Sequence, residues 1–396
     1  MEIDNIDVEA WFDEEEQGHL FEPENEEADP ASKYAKSQLR VVRETKDYQL
    51  DYLQHALQPG RELIDISPAY QRRLRWPNKK KSLLIESFLL NIPVPPIFLY
   101  ERDYNSYEVI DGRQRLDAIS AFLSNEYSLQ GLEYWSELNG KRFKELPDVL
   151  KKGLLRRSLP AVVLLAETNA PSSDNGDDID VRRVLFDRLN TGGIRLNPQE
   201  LRNALHPGSL NALLIRMART SAFTTAWNIP PYSEGEERHP SDELLRNALF
   251  ASMADAELVL RFFALRDAIE FDRQGSLRAI LDNYMQANAQ ANEKEIDRLS
   301  DLFQTSLRGL LGIFGDSLFR LPTNSRLSRP LYDALMVAFS QLDTRCARLD
   351  GTAIASALED ALSHRDSYDV LVGRGNTIGA VHDRVNLATS ILGAGA

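Results

Sequence analysis

Between Tyr107 and Leu123 the chain changes its hydrophobic period. Tyr107, Val109 and Ile110 are strand formers, Gly112 permits a sharp turn, and beyond Arg113 apolar residues fall at Leu116, Ile119, Ala121, Phe122 and Leu123, which is helical spacing. The pattern predicts a strand, a tight turn and a helix. Upstream, Leu39, Val42, Tyr48, Tyr52 and Leu53 predict a helix from Ser32 to Leu57, stopped by Pro59-Gly60. Leu63, Ile64 and Ile66 predict a short strand, after which Pro68 forces an extended turn. Leu83, Leu84, Phe88 and Leu89 predict an amphipathic helix over Lys80–Leu90, ended by Asn91 and Pro93, and a strand follows within Ile92–Tyr100. Asp103-Tyr-Asn-Ser106 is the turn into the Tyr107 strand. Residues 127–160 read as irregular, Leu159–Leu165 as a buried strand, and Asn169–Asp180, with its four Asp, as a flexible acidic loop. Beyond Pro207, helical spacing recurs at 210–218, 242–270, 277–287, 294–314, 331–342 and 353–362 with no fixed period, so a separate helical domain is expected and a repeat solenoid is not.

Composition sharpens this picture at three points. With 396 residues, 43% of them hydrophobic, the chain can bury a large core and two domains are expected. A single cysteine, Cys346, excludes a disulfide framework and a cysteine-based zinc cluster, and points to a reducing cytoplasm. No apolar run reaches the ~18 residues of a membrane helix, and no basic-then-apolar signal opens the chain, so a cytoplasmic protein without a membrane partner is expected. The net charge of −14 is unevenly placed: residues 1–32 hold 13 Asp and Glu and no Lys or Arg, leaving the rest of the chain at −1. That acidic tail intersperses Trp11, Phe12, Leu20 and Phe21 among its acids, as disordered interaction segments do. It reads either as a solubilising tail or as a docking or autoinhibitory arm that mimics a polyanion and covers a basic cleft.

The strand–turn–helix junction is the first candidate for chemistry. Backbone N–H groups at a helix start converge on one point where the helix dipole favours negative charge, so a phosphate can sit there. Arg113 and Arg115 add two guanidinium groups able to grip phosphate oxygens in pairs. Asp111 closes the strand, where a carboxylate could hold a metal ion or a nucleophilic water, or could merely cap the helix. Arg72, Arg73, Arg75, Lys79, Lys80 and Lys81 form a basic run; its lysines read as a solvated face, whereas Gln71-Arg72 directly follows a strand and would point off a sheet edge. His206 and His239 each precede a proline and read as loop residues, and with His364 and His382 they lie too far apart for a nuclease cluster.

The order strand, Tyr70-Gln71-Arg72, Trp76, helix with Ile85-Glu86-Ser87, Ile92-Pro-Val-Pro-Pro96, strand, then Tyr107-Glu-Val-Ile-Asp-Gly-Arg-Gln-Arg-Leu116 resembles the ParB-like NTPase family found at the N-terminus of Gmr-type modification-dependent restriction enzymes. The likeness spans residues 63–125 and resumes over Val184–Leu201, whose Leu-Asn-Thr-Gly and Glu-Leu elements are similar to a second family block. The resemblance implies an α+β, ParB/sulfiredoxin-like domain, placed over 33–206 between the acidic 1–32 tail and the helical domain of 207–396. It also implies that a nucleoside triphosphate with Mg2+ is bound and hydrolysed in a DNA restriction or phage-defence system. Asp111, Gly112, Arg113, Gln114 and Arg115 fall on the signature tied to hydrolysis, with Arg113 where the family has Gln. By the same likeness Gln71, Arg72, Asn190, Thr191 and Gly192 would reach the nucleotide, and Asp111 the metal. DNA, a protein docking the tail or the helical domain, and a further copy of the chain are the other expected partners. Two different readings stay open: a ParB-fold nickase, and a nonenzymatic, antitoxin-like binding module.

Overall fold

The computed structural model describes residues 11–12, 41–57, 63–65, 76–166, 197–237, 240–322, 324–342, 350–373 and 377–394. They fall into two compact units, an α/β unit within 26–68 and 75–196 and a helical unit that takes 1–25, 69–74 and 197–396. The chain is therefore α+β, as the family resemblance implies.

The α/β unit is built on a five-stranded mixed sheet in the order β1-β5-β3-β4-β2, with β1 at Val41–Gln49, β2 at Ile64–Asp65, β3 at Ile97–Asp103, β4 at Ser106–Asp111 and β5 at Ser158–Ala166. β1 runs antiparallel to β5, with Val41 opposite Ala166 and Gln49 opposite Ser158. β3 is parallel to β5 and antiparallel to β4, and β2 pairs in parallel with β4 through Ile64 and Tyr107. Among the described residues four helices accompany the sheet: α1 Leu50–Ala56, α2 Asn78–Leu89, α3 Arg113–Leu123 and α4 Asp148–Leu155. Ile97 and Leu99 of β3, Val109 of β4, Leu159, Ala161 and Val163 of β5 and Leu116, Ile119 and Phe122 of α3 join one buried cluster.

Two expectations are corrected here. The helix expected from Ser32 to Leu57 is a strand over Val41–Gln49, and helix begins only at Leu50, where Leu50, Leu53 and Ala56 are buried at helical spacing. The stretch 127–160 contains α4, which carries Lys151 and Lys152, as well as two short 3-10 turns. Asn91, at φ 60, ends α2 as expected.

The helical unit contains α5 Pro198–Leu205, α6 Ser209–Ala218, α7 Ser221–Ala226, α8 Asp242–Arg246, α9 Ala248–Ala251, α10 Ala254–Glu270, α11 Leu277–Asn288, α12 Glu293–Phe314, α13 Arg329–Gln341, α14 Gly351–Ser363, α15 Arg365–Val372 and α16 Ile378–Gly393. The helical period over 242–270 resolves into three helices. The Asn247 side chain accepts from the Phe250 N–H to start α9, and Met253 at φ 61 breaks the chain before α10. His206 sits at the C-terminal cap of α5, in keeping with its expected loop position, and His239 lies outside the described residues. Among the described residues no helix is long and apolar enough to cross a membrane.

α10 is buried almost all round, and three of its buried side chains are Asp255, Glu257 and Arg261. The Arg261 guanidinium donates to both carboxylate oxygens of Asp333 on α13. Arg202 of α5 reaches Asp282 at 2.7 Å and Glu257 at 3.7 Å, and Arg329 of α13 lies 3.6 Å from Glu257. Buried charges stand only when paired, so these contacts fix how α5, α10, α11 and α13 meet.

Candidate functional site: the Gly112 turn

β4 delivers Asp111 to the end of the sheet, and Gly112 turns the chain into α3 with φ 98 and ψ 5. Only glycine adopts this conformation without strain, and a Cβ here would also overlap the side chain of Ile97, itself fully buried. Gly112→Ala should accordingly lose roughly 2–3 kcal/mol, combining the left-handed backbone with the overlap. Urea unfolding of the variant checks the figure, and a midpoint equal to wild type would mean that the turn relaxes without cost.

Gly112, the N-cap residue of α3, has no side chain to cap the helix. Around it the signature residues have divided roles. Arg115 Nη2 donates to Asp111 Oδ2 at 2.9 Å and to the Pro96 carbonyl at 3.2 Å, and its side chain is mostly buried, so it clamps the carboxylate and the residue before β3 together. The Asp111 side chain is 38% exposed, open to solvent on one side. Gln114 Oε1 accepts the Trp76 backbone N–H at 3.0 Å, tying the entry of α2 to the first turn of α3. Lys80 Nζ lies 4.4 Å from the centre of the Trp76 ring. Lys81 departs from the solvated face expected of the lysine run: it is 6% exposed and bonds Asp117 of α3 at 2.7 Å. Elsewhere in the unit, Lys151 contacts Asp148 at 3.4 Å and Arg157 donates to Asn91 Oδ1 at 2.7 Å.

Sequence reasoning gave Glu86 no role, although it stands on an apolar helix face between Ile85 and Phe88. It is buried, and its carboxylate accepts the backbone N–H groups of Glu133, Tyr134 and Trp135 at 3.1, 2.9 and 2.9 Å. The Gln130 N–H bonds Ser82 Oγ one turn earlier, so the 130–135 loop is fastened along α2 and holds Tyr134 out in solvent. Burial pushes the Glu86 carboxyl up, but the backbone donors from Trp135, Glu133 and Tyr134 outweigh it and hold the group below its ordinary range. A carboxyl depressed on folding stabilises fully above its unfolded value, near 4.5, and loses that contribution as pH falls through the lower folded value. Glu86→Ala should therefore cost about 2–3 kcal/mol at pH 7, with the gap from wild type narrowing below about pH 4.5. Denaturant midpoints from pH 3 to 8 measure it; a gap independent of pH would refute the charge-based account.

Gln71, Arg72, Asn190, Thr191 and Gly192, with the acidic loop at 169–180, lie outside the described residues. No group of three or more His, Cys, Asp or Glu able to hold a metal ion occurs among the described residues. The strand, turn and helix that carry the signature lie inside a stretch with a recognisable relative. Residues 53–207 match the model of the GmrSD restriction endonuclease, N-terminal domain. The match ties this stretch to restriction systems, and it runs through the α/β unit from the middle of α1 to β5. It also takes in α5, which packs into the helical unit through Arg202, so the matched stretch and the α/β unit end at different points. No curated protein and no solved structure matches the chain.

Proposed function

We propose that the Gmr-type segment binds a nucleoside triphosphate at the Gly112 turn and hydrolyses it, as the nucleotide-dependent part of a DNA restriction or phage-defence system. The observation that carries this reading is the α3 start: a left-handed glycine with no side chain to cap the helix, and a half-exposed carboxylate beside it. A helix start of this kind favours phosphate. The residues fit a magnesium nucleotide, because Mg2+ bound to phosphates commonly takes only one or two protein carboxylates and keeps several waters. When bound, the metal would neutralise charge on the phosphoryl group, with Asp111 as its protein ligand. Arg115 orients Asp111, Gln114 holds the α2 entry against the turn, and Arg113 supplies a cation at the first helical position. Gln71, Arg72, Asn190, Thr191 and Gly192 join the site by family likeness to a ParB-like nucleotide pocket, and DNA is the polymer such a system acts on.

Arg115→Ala and Arg72→Ala should each weaken nucleotide binding by roughly 1.5–3 kcal/mol, the range of a charge-assisted hydrogen bond. Calorimetry with all four nucleoside triphosphates and Mg2+, with and without DNA, tests this. Wild-type affinity in both variants would sink the assignment. A second reading rests on the Arg115 clamp: if the pair serves only to brace β3 against α3, the segment is a nonenzymatic binding module and the same panel will show no nucleotide binding. Plasmid nicking by the pure protein with Mg2+ would instead favour the nickase reading.

A further inference from the structure

The acidic N-terminal tail is described at Trp11 and Phe12, and both contact the helical unit. Phe12 is 7% exposed and belongs to the helical unit's buried cluster. Trp11 meets Trp227 edge to face, with ring centres 6.2 Å apart, and the Arg329 guanidinium lies 5.0 Å over the Trp11 ring. Arg329 Nη1 also donates to the Trp11 backbone carbonyl at 3.2 Å. Behind them, Trp227 stacks on Phe319 and meets Tyr332 edge to face, so the receiving surface is an aromatic wall.

We propose that this wall is a recognition site for a short aromatic–acidic segment, and that in this chain the chain's own Trp11-Phe12 occupies it. Three observations favour an exchangeable ligand over a fixed core element. Among the described residues of the tail the apolar attachment is made by two rings, Trp11 and Phe12, and the next four residues, Asp13, Glu14, Glu15 and Glu16, are all acidic. The main-chain contact from Arg329 and its cationic face both reward an aromatic residue in a negatively charged segment, which is how peptide ligands are recognised. The wall itself, Trp227, Phe319 and Tyr332, is held together by ring contacts among its own three members. A tether of this kind holds its ligand at an effective concentration of about the millimolar range, which a free peptide can overcome. The proposal does not depend on nucleotide binding.

The test uses a fluorescein-labelled peptide with the sequence of residues 4–24 and a chain lacking residues 1–32. The peptide should bind the truncated chain, require at least tenfold more protein when the full chain is used, and lose binding when its Trp11 and Phe12 are both replaced by alanine. Binding carried by the rings should change little between low and high salt, whereas a polyanion held by a basic cleft loses affinity steeply. Equal binding to full and truncated chains, binding kept by the alanine peptide, or no binding to folded truncated chain would each overturn the site. If the truncated chain does not fold, a specific protease site inserted between Ser32 and Val41 lets the full chain fold before the tail is cut. Labelled peptide should then displace the cut tail, and a tail that never exchanges would show it to be a core element.

Discussion

Asp333→Ala is expected to destabilise the helical unit by about 3–5 kcal/mol, the usual penalty for removing one partner of a buried ion pair. The carboxylate is fully buried and takes both of its hydrogen bonds from Arg261. Without it the Arg261 guanidinium stays in the core with Glu257, 4.0 Å away, as its longer-range counterion. Replacing both partners, Arg261→Met with Asp333→Leu, should recover much of the loss, because a buried pair often contributes little beyond an apolar pair of similar volume. Thermal unfolding followed by circular dichroism reads both variants. A single substitution within about 1 kcal/mol of wild type would mean that solvent reaches the pair.

Asp111→Ala should abolish phosphate release while the α/β unit still folds. A carboxylate beside a phosphate-binding turn repels the ligand unless it serves a metal or a water, so its place at the end of β4 argues for chemistry over affinity. The opposing account treats Asp111 as the counterion that keeps Arg115 in position, at 2.9 Å. That account expects about 1 kcal/mol of lost stability, the scale of a partly exposed pair, and unchanged turnover. Phosphate release and a denaturation midpoint measured on the same variant separate the two.

The Tyr107–Leu123 junction was legible because each of its signals is local: β-branched strand residues, one glycine and a clean helical period. The helical unit was legible for the same reason, although α5, α7, α15 and α16 were not expected, and the period over 242–270 hid breaks that depend on the conformations of Asn247 and Met253. β1 was misread for a physical reason. It is an edge strand whose described side chains are mostly exposed or half-buried, so it carries no alternation of apolar and polar positions, and the spaced tyrosines imitate a helix. Glu86 and Lys81 were hidden differently. Each is a charge on an otherwise ordinary helix, and its partners, the 133–135 backbone and Asp117, lie far along the sequence.

The strand order carries a consequence for synthesis. Among the described residues β5 is the last strand made, yet it sits between β1 and β3, and β1 pairs with β5 alone. During translation β1 therefore emerges without its partner and waits on the order of ten seconds, at ordinary elongation rates, until Ser158–Ala166 leaves the ribosome. A nascent strand with open edges invites pairing with other chains, and charged side chains discourage it. Arg43, Glu44, Lys46 and Asp47 supply them, so the charges that disguise β1 in the sequence also guard it while the sheet is incomplete.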